Sequence, residues 1–378
     1  MSLPDVVYVS RPLLPSIEQL LPYVRDIWES RIVTNNGKWN IQLEERLRHE
    51  LNVPTALTFN NGTTGLLAAL RFFDFAPGSE VITTPLTFAA TAHAISWNGL
   101  IPVFVDCEDE FLTIDPNAVE LAIGPKTVAV VGVHVYGNLC DDGRLSEICR
   151  KANIKLIYDA AHAFGGRYHG IDVGNLGDLS VFSLHATKLF NTLEGGVVTS
   201  SRLCDTERLS LLRNFGIEDE ERVSAIGING KMNELQAAIG LCNLDLVEQE
   251  RAARARLRND YAFMLRDIKG VTLHREQADC TLSEQYYLVR INEYEYGRSR
   301  NDVKNALEAR GIMARKYFYP LCTDYGPYFG RQIISVGQEC VAQQVKNEVL
   351  CLPFHSGVTE EHVSTIKEVL QHGQNRNC

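Results

Sequence analysis

Short apolar runs alternate with amphipathic stretches through the first two hundred residues. Amphipathic helices are predicted at residues 16–31 and 39–51, around the loop Asn35–Lys38. Continuous apolar runs typical of buried strands follow at residues 55–59, 80–83, 101–105, 127–135, 154–158, 179–183 and 196–200. Helical stretches such as Gly65–Phe73 and Ala89–Trp97 lie between them. This alternation predicts a mostly parallel sheet of about seven strands, with helices on both faces.

The pattern changes after the last of these runs. One long helix is predicted at residues 233–267, and its second half, EQERAARARLRND, is rich in charge. That half resembles a nucleic-acid patch, but its acidic residues are interleaved with the basic ones, which favours a solvated helix face. Beyond residue 270 a smaller α+β region is predicted from a strand at Gln285–Ile291 and helices at residues 299–311, 338–349 and 359–371.

These elements predict two domains. We expect a large α/β domain at residues 12–250 and a small α+β domain at residues 251–378, with residues 1–11 packed on the small one. The polar tail His372–Cys378 is expected to be frayed.

Composition and charge exclude several classes of protein. The 378 residues are 45% hydrophobic and 22% charged, as in ordinary globular proteins, and no run approaches the roughly 20 apolar residues of a membrane span. A net charge of −10 argues against general binding to nucleic acid or anionic membranes. The ten cysteines lack zinc-site spacing, and the N-terminus lacks a secretory signal. We therefore expect reduced thiols, no metal site and a cytoplasmic location.

Two residues suggest chemistry at the ends of buried strands. Asp159 follows the strand IKLIY and precedes small residues, where open α/β sheets bind ligands, although a helix N-cap explains it equally well. Lys188 lies in a loop between two apolar strands, whereas most lysines are solvated surface charges. A buried lysine has a lowered pKa and attacks carbonyl groups. Pyridoxal phosphate (PLP) chemistry needs such a lysine and an acid opposite the pyridine nitrogen.

A third feature is the turn Asn60–Gly65, which reads NNGTTG between a strand and a helix. Backbone N–H groups and hydroxyls at a helix start suit a phosphate, and Ser183 would add a hydroxyl. The spacing matches neither a Walker A loop nor GxGxxG, and an ordinary capped helix start explains the turn by itself.

In combination, seven motifs make the chain resemble the DegT family of sugar-nucleotide aminotransferases nearly from end to end. They are NNGTTGL, PLTFAATAHAI, VHVYGN, YDAAHAFG, FSLHATKLFNTLEGG, GINGKMNELQAAIG and CLPFHSGVTEEH, in that order. The resemblance implies the fold-type I PLP architecture and a homodimer with shared active sites.

The resemblance also implies roles for individual residues. Lys188 would form the Schiff base with PLP, and Asp159 would pair with the pyridinium nitrogen. The cofactor would further be held by Gly62, Thr63, Thr64, Phe88, His162, Ser183 and, from the neighbouring subunit, Asn229. Substrate contacts would come from His185, Lys231, Arg315, Tyr317 and Tyr319. Two departures matter. His162 stands where many members have Gln, which predicts a pH-sensitive charge, and Gly230–Lys231 replaces a more usual Tyr–Arg.

The segment Arg315–Pro320 lies where family members bind the nucleotide sugar. Its two cations suit a diphosphate and its aromatic rings suit a base or sugar face. A structural loop with an exposed basic pair is an equally good interpretation.

The implied activity is transfer of an amino group from L-glutamate to a nucleotide-linked keto-hexose, in aminosugar and surface-polysaccharide (lipopolysaccharide O-antigen) biosynthesis. VTNNGKW, YDAAHAFG and FSLHATK resemble enzymes that make dTDP-4-amino-4,6-dideoxy-D-glucose from the 4-keto-6-deoxy sugar. Two alternatives remain. A PLP-dependent sugar dehydratase has His in place of the lysine, so Lys188 argues against it. A non-catalytic regulator with this fold is disfavoured by the complete set Asp159, Ser183 and Lys188.

Overall fold

A computed structural model describes residues 6–372. The helices are α1 (Ile17–Ser30), α2 (Lys38–Glu50), α3 (Gly62–Arg71), α4 (Ala89–Trp97), α5 (Pro116–Ala122), α6 (Asp142–Ala152), α7 (Asp205–Arg213), α8 (Glu234–Leu265), α9 (Glu293–Tyr296), α10 (Arg300–Glu308), α11 (Val341–Glu348) and α12 (Glu360–His372). The predicted tail beyond His372 lies outside the described residues.

The strands are β1 (Val7–Tyr8), β2 (Thr55–Phe59), β3 (Glu80–Thr83), β4 (Ile101–Val105), β5 (Thr127–Val133), β6 (Lys155–Asp159), β7 (Arg167–Tyr168), β8 (Ile171–Asp172), β9 (Leu179–Ser183), β10 (Gly196–Ser200), β11 (Val271–Leu273), β12 (Cys280–Thr281), β13 (Tyr287–Ile291), β14 (Ile312–Met313), β15 (Ile333–Ile334) and β16 (Val349–Leu352).

The central sheet has eight strands in the order β15-β4-β3-β5-β6-β9-β10-β2. All neighbours are parallel except at β10, which runs antiparallel to both β9 and β2. Antiparallel neighbours need no crossover helix. The loop between β9 and β10 therefore begins and ends at the same edge of the sheet, where β9 has its carboxyl end. The carboxyl ends of β2, β3 and β6 lie at that same edge. Apolar clusters pack on both faces of the sheet, as its fully buried strands require.

The seven strands predicted from the apolar runs all lie in this sheet, which confirms the α/β architecture. The eighth, β15, was missed because two residues are too short to show a pattern. The strand β16 was also missed. Its four buried residues VLCL continue directly from α11, and a short apolar run after a helix does not distinguish helix from strand.

A separate apolar cluster contains the carboxyl half of α8 together with β13, β16, α10 and α12, and it also includes Val7 from β1. Residue 250, where the boundary between the two domains is predicted, lies inside the continuous helix α8. The boundary at this residue therefore stays a prediction. The second half of this helix has the expected solvated face, with exposed side chains at Glu248, Gln249, Ala252, Arg256, Asn259 and Asp260, and its opposite face is buried. Arg254 is fully buried and paired with the buried Glu250, with its Nε 2.8 Å from Glu250 Oε1.

Candidate active site

One cavity of about 260 Å³ opens where the carboxyl ends of the central strands meet the β9–β10 loop. Because parallel strands bring their carboxyl ends to one edge, residues distant in sequence converge there. Its walls are formed by Asn61, Gly62, Thr63, Leu66, Thr87, Phe88, Ala90, Val133, Asp159, Ala161, His162, Val181, Ser183, His185, Thr187, Lys188, Glu194, Tyr286, Tyr317 and Phe318.

Lys188 lies on the loop between β9 and β10. Burial lowers the pKa of its amine to about 8, although the nearby carboxylate of Asp159 opposes the shift. Its Nζ lies 5.9 Å from the centroid of the Tyr286 ring, and its backbone N–H donates to the carbonyl of His185 at 2.8 Å. An amine with this pKa is unprotonated far more often near neutral pH than an ordinary lysine, so it can act as a nucleophile and a base.

Asp159 ends β6 and is only 5% exposed. Thr91 Oγ1 donates to Asp159 Oδ2 at 2.7 Å, and the backbone N–H of Ala161 donates to Asp159 Oδ1 at 3.1 Å. Burial raises the pKa of the carboxyl group, while these two donors and the Lys188 charge act in the opposite direction. No helix begins at this turn, so the alternative of a helix N-cap does not apply. A cationic partner in the cavity would stabilise the ionised carboxylate.

His162 is buried beside the cavity. Its Nδ1 accepts a hydrogen bond from the backbone N–H of Tyr136 at 3.1 Å, which leaves the proton of a neutral imidazole on Nε2. Burial, and then the Lys188 charge, lower the pKa of His162 well below its usual range. The predicted pH-sensitive charge was therefore wrong for the neutral range, because an imidazole in this environment stays uncharged.

The turn after β2 forms the amino end of α3, and it is also a capped helix start. Asn61 caps the helix by accepting from the backbone N–H of Thr64 at 2.8 Å. The hydroxyl of Thr64 donates to Asn60 Oδ1 at 2.6 Å and stays out of the cavity lining, whereas Gly62, Thr63 and Ser183 reach it. The first N–H groups of a helix have no partners within it, so this end suits an anion.

Two glycines lie where this turn meets the sheet. A Cβ on Gly62 would lie 3.1 Å from Ser183 Cβ, and one on Gly196 would lie 2.5 Å from the carbonyl oxygen of Asn61. The two glycines therefore bring the amino end of α3 close to β9 and β10, which narrows the anion site.

Aromatic rings form one wall of the cavity. Phe88, 62% exposed, has its ring centroid 6.5 Å from that of Phe318, which in turn stacks on His162 at 5.8 Å. Tyr317 also lines the cavity, with its ring 5.4 Å from that of Tyr286. These surfaces suit a flat ring and its substrate.

Some residues predicted to contact substrate or cofactor lie outside this lining. Asn229 is exposed, and its Oδ1 accepts from Lys231 Nζ at 2.9 Å, while Lys231 also donates to Asn214 Oδ1 at 2.8 Å. Arg315 is exposed, and Tyr319 lies under the cationic groups of Arg300 and Lys316. Thus His185 and Tyr317 line the cavity in one chain, and Lys231, Arg315 and Tyr319 do not.

Sequence reasoning missed Thr91, Glu194, Gln285, Tyr286 and Phe318. Thr91 lies on α4 inside the motif PLTFAATAHAI, with its hydroxyl 2.8 Å from that of Thr87 before the helix, and Glu194 lies in FSLHATKLFNTLEGG. Phe318 lies in the segment Arg315–Pro320, whose aromatic rings already pointed to a ligand, whereas Gln285 and Tyr286 come from a segment with no local motif, so only tertiary contacts identify those two. His185 and Glu194 form a pair, with His185 Nε2 3.7 Å from Glu194 Oε1.

The residues present fit PLP. The cavity combines an amine whose pKa is about 8, a buried carboxylate, an anion site at a helix start and aromatic walls. Among the described residues no cluster of three or more His, Cys, Asp or Glu side chains is placed to hold a metal. In the same part of the chain, no helix is both long and apolar enough to span a membrane.

Comparison with known proteins agrees with this geometry. The model of the DegT/DnrJ/EryC1/StrS aminotransferase family matches residues 16–371. The chain is 40% identical to a dTDP-4-amino-4,6-dideoxy-D-glucose transaminase of Shigella dysenteriae, over 96% of this chain and 99% of the relative. A transaminase of the same name from Escherichia coli is 38% identical, over 96% and 97%. A crystal structure of DesI in the presence of its TDP-sugar product superposes with a TM-score of 0.91 at 32% identity, over 99% of this chain and 94% of that one.

Proposed function

The chain belongs to the DegT/DnrJ/EryC1/StrS aminotransferase family, whose members use PLP, and on that premise we propose that it aminates C4 of dTDP-4-keto-6-deoxy-D-glucose. The product would be dTDP-4-amino-4,6-dideoxy-D-glucose, the amino donor L-glutamate, and the setting the synthesis of aminosugars for a surface polysaccharide. The two transaminases of that name, similar over almost their whole length, support this choice of substrate.

One observation carries the proposal: Lys188, Asp159 and the amino end of α3 converge on one cavity from three separate parts of the chain. An amine, a carboxylate and an anion site that line one cavity are the groups that would bind the aldehyde, ring nitrogen and phosphate of PLP. A regulator without chemistry would have no need for a lysine with a lowered pKa.

Lys188 has two tasks in this proposal. Its amine would hold the cofactor, and it would move a proton at the reacting carbon of the substrate. PLP, when bound, supplies the electron sink that stabilises the charge left on that carbon. The pKa of about 8 allows the amine both to take up and to release a proton at neutral to mildly alkaline pH.

Asp159 would face the pyridine nitrogen and keep its proton in place. Gly62, Thr63 and Ser183 would bind the phosphate directly, with Thr64 supporting the turn through its bonds to Asn60 and Asn61. His162, neutral and donating from Nε2, would contact the ring hydroxyl, and Phe88 would cover the ring.

We also propose that two copies of the chain share each site, and that the enzyme works in the cytoplasm. Asn229 is exposed, Lys231 beside it is half-buried, and exposed apolar side chains such as Trp28, Val223 and Ile226 are suited to an interface between copies. Asn229 would then reach the phosphate held by the partner, and Lys231, Arg315 and Tyr319 would meet the nucleotide sugar at the mouth of the site.

The function is tested with the purified protein, PLP, L-glutamate and the 4-keto-6-deoxy sugars of dTDP, UDP and GDP. The expected result is amination of the dTDP sugar at C4, with mass spectrometry giving the amine and NMR its carbon. Preferred turnover of another nucleotide sugar would contradict the substrate assignment. In Lys188→Ala, borohydride should no longer fix PLP to the protein, and persistent covalent attachment would contradict the role of Lys188.

A further inference from the structure

Lys188 is held by a residue almost one hundred positions further along the chain. The side-chain amide of Gln285 contacts the peptide groups on both sides of it. Gln285 Oε1 accepts from the backbone N–H of Leu189 at 2.8 Å, and Gln285 Nε2 donates to the carbonyl of Thr187 at 3.0 Å. These two contacts fix the orientation of the amide, since an N–H can only donate and a carbonyl can only accept.

Gln285 is itself fixed from behind. It is 3% exposed, and the buried Arg254 donates from Nη1 to the carbonyls of Glu284 at 3.2 Å and of Gln285 at 3.4 Å. The Nε of Arg254 is bound by Glu250 at 2.8 Å, so the guanidinium cannot easily turn away. A rigid anchor therefore runs from α8 through the segment before β13 to the loop that carries Lys188.

The neighbours of Gln285 contact the same cavity. The Tyr286 ring lies beneath the Lys188 ammonium and meets His162 edge-on at 5.1 Å, and Ser283 Oγ donates to the carbonyl of His162 at 2.5 Å. One short segment, Ser283–Tyr286, thus supports both the amine and the imidazole of the site.

We propose that Gln285 is the positioning residue that keeps the Lys188 amine directed at the cofactor. The inference rests on the proposed role of Lys188. The loop between β9 and β10 is twelve residues long, Leu184–Gly195, and its two ends are fixed by the sheet. Gln285 binds the backbone near the middle of this loop, where pairing between strands does not hold the chain.

The chain contains a matched control. The side-chain amide of Gln277 also makes two hydrogen bonds to the backbone, both to Leu139, with Oε1 2.6 Å from the backbone N and Nε2 2.8 Å from the carbonyl oxygen. Neither Gln277 nor Leu139 lines the cavity. Loss of either amide removes two hydrogen bonds to the backbone, so Gln277→Leu separates a general loss of stability from an effect on Lys188.

The test compares Gln285→Leu, Gln285→Glu and Gln277→Leu as PLP-loaded, full-length enzymes. Three quantities are measured: the rate of PLP release, the fraction of PLP that borohydride fixes to the Lys188 peptide, and kcat and KM. In Gln285→Leu we expect PLP release to be roughly tenfold faster, a smaller fixed fraction, and a kcat roughly tenfold lower with KM for the nucleotide sugar nearly unchanged.

The variant Gln285→Glu provides a pH dependence of PLP retention that a merely structural role of Gln285 lacks. An ionised carboxylate accepts from Leu189 but repels the Thr187 carbonyl, whereas the protonated form restores the donor. PLP retention in this variant should therefore improve as the pH falls, while in Gln285→Leu the defect relative to the unsubstituted enzyme stays the same.

The outcomes separate clearly. If Gln277→Leu and Gln285→Leu lower the melting temperature alike and release PLP alike, Gln285 is structural only and the inference fails. If Gln285→Leu retains PLP and kcat, it also fails. A failure of the role of Lys188, on which the inference rests, is recognised separately, because Lys188→Ala would then still be fixed to PLP by borohydride.

Discussion

Burial sets the chemistry of the individual side chains in this site. The same low-polarity surroundings lower the pKa of Lys188 and His162 and raise that of Asp159. Each shift disfavours a charge that water would otherwise stabilise. As a consequence, the His162 imidazole is uncharged and the Lys188 amine can exchange protons near neutral pH. The Asp159 carboxylate, in turn, is the group that a cationic partner would stabilise most.

Asp159→Asn tests that last consequence. The substitution keeps the shape but removes the charge that would hold a proton on the ring nitrogen, so turnover should fall by roughly 10²-fold or more. The measurement is kcat with saturating substrates and PLP. Thr91→Val, which removes one donor to Asp159 but not its charge, should have a much smaller effect. Near-normal turnover in Asp159→Asn would reject the role of the carboxylate.

At the scale of elements, the site depends on how closely one helix start approaches two strands. The amino end of α3 contacts β9 and β10 because Gly62 and Gly196 carry no side chains. The antiparallel direction of β10 then returns the loop bearing Lys188 to the edge where α3 begins. Anion site and amine are therefore adjacent through sheet topology, not through sequence proximity.

Gly62→Ala should disturb this approach without breaking the helix. The new Cβ would lie 3.1 Å from Ser183 Cβ and 3.2 Å from Ser183 Cα, and a strand backbone gives way poorly. We expect the dissociation constant of PLP to rise roughly tenfold, which corresponds to about 1.4 kcal/mol, while far-ultraviolet circular dichroism stays unchanged.

Gly124→Ala is the control for this prediction, because a Cβ there meets nothing within 4 Å. It should bind PLP like the unsubstituted enzyme. Equal PLP affinity in the two variants would show that the spacing between α3 and β9 does not limit phosphate binding.

At the scale of the whole molecule, one chain leaves part of the predicted site unassembled. Asn229 lies outside the cavity of its own chain and is ordered by Lys231, which donates to its Oδ1 and thereby leaves the amide Nδ2 free to face outward. The exposed apolar side chains nearby favour association of copies, which would bring that amide to a second site.

Mixing two inactive variants tests this sharing. In a heterodimer of Lys188→Ala and Asn229→Asp, shared sites would place both defects in one site and neither in the other. Activity should therefore return on subunit exchange, up to about half of the normal rate in each heterodimer. Exchange is verified by mass, and each variant alone must be inactive. No recovery would show that Asn229 serves its own chain or no site.

The sequence by itself determined the local elements and the residues that carry chemistry. Periodicity predicted seven strands of the sheet, and motifs directed attention to Lys188, Asp159 and the turn at Gly62. Both kinds of signal are local, because strands, turns and a loop lysine leave their pattern within a few residues.

Only the tertiary structure decided what surrounds these residues. The pKa of His162, the donor Thr91, the support of Gln285 and the buried ion pair of Arg254 all depend on contacts between segments far apart in the chain. Burial and hydrogen-bond geometry arise when such segments pack together, and no pattern in a single segment records which partner it will meet.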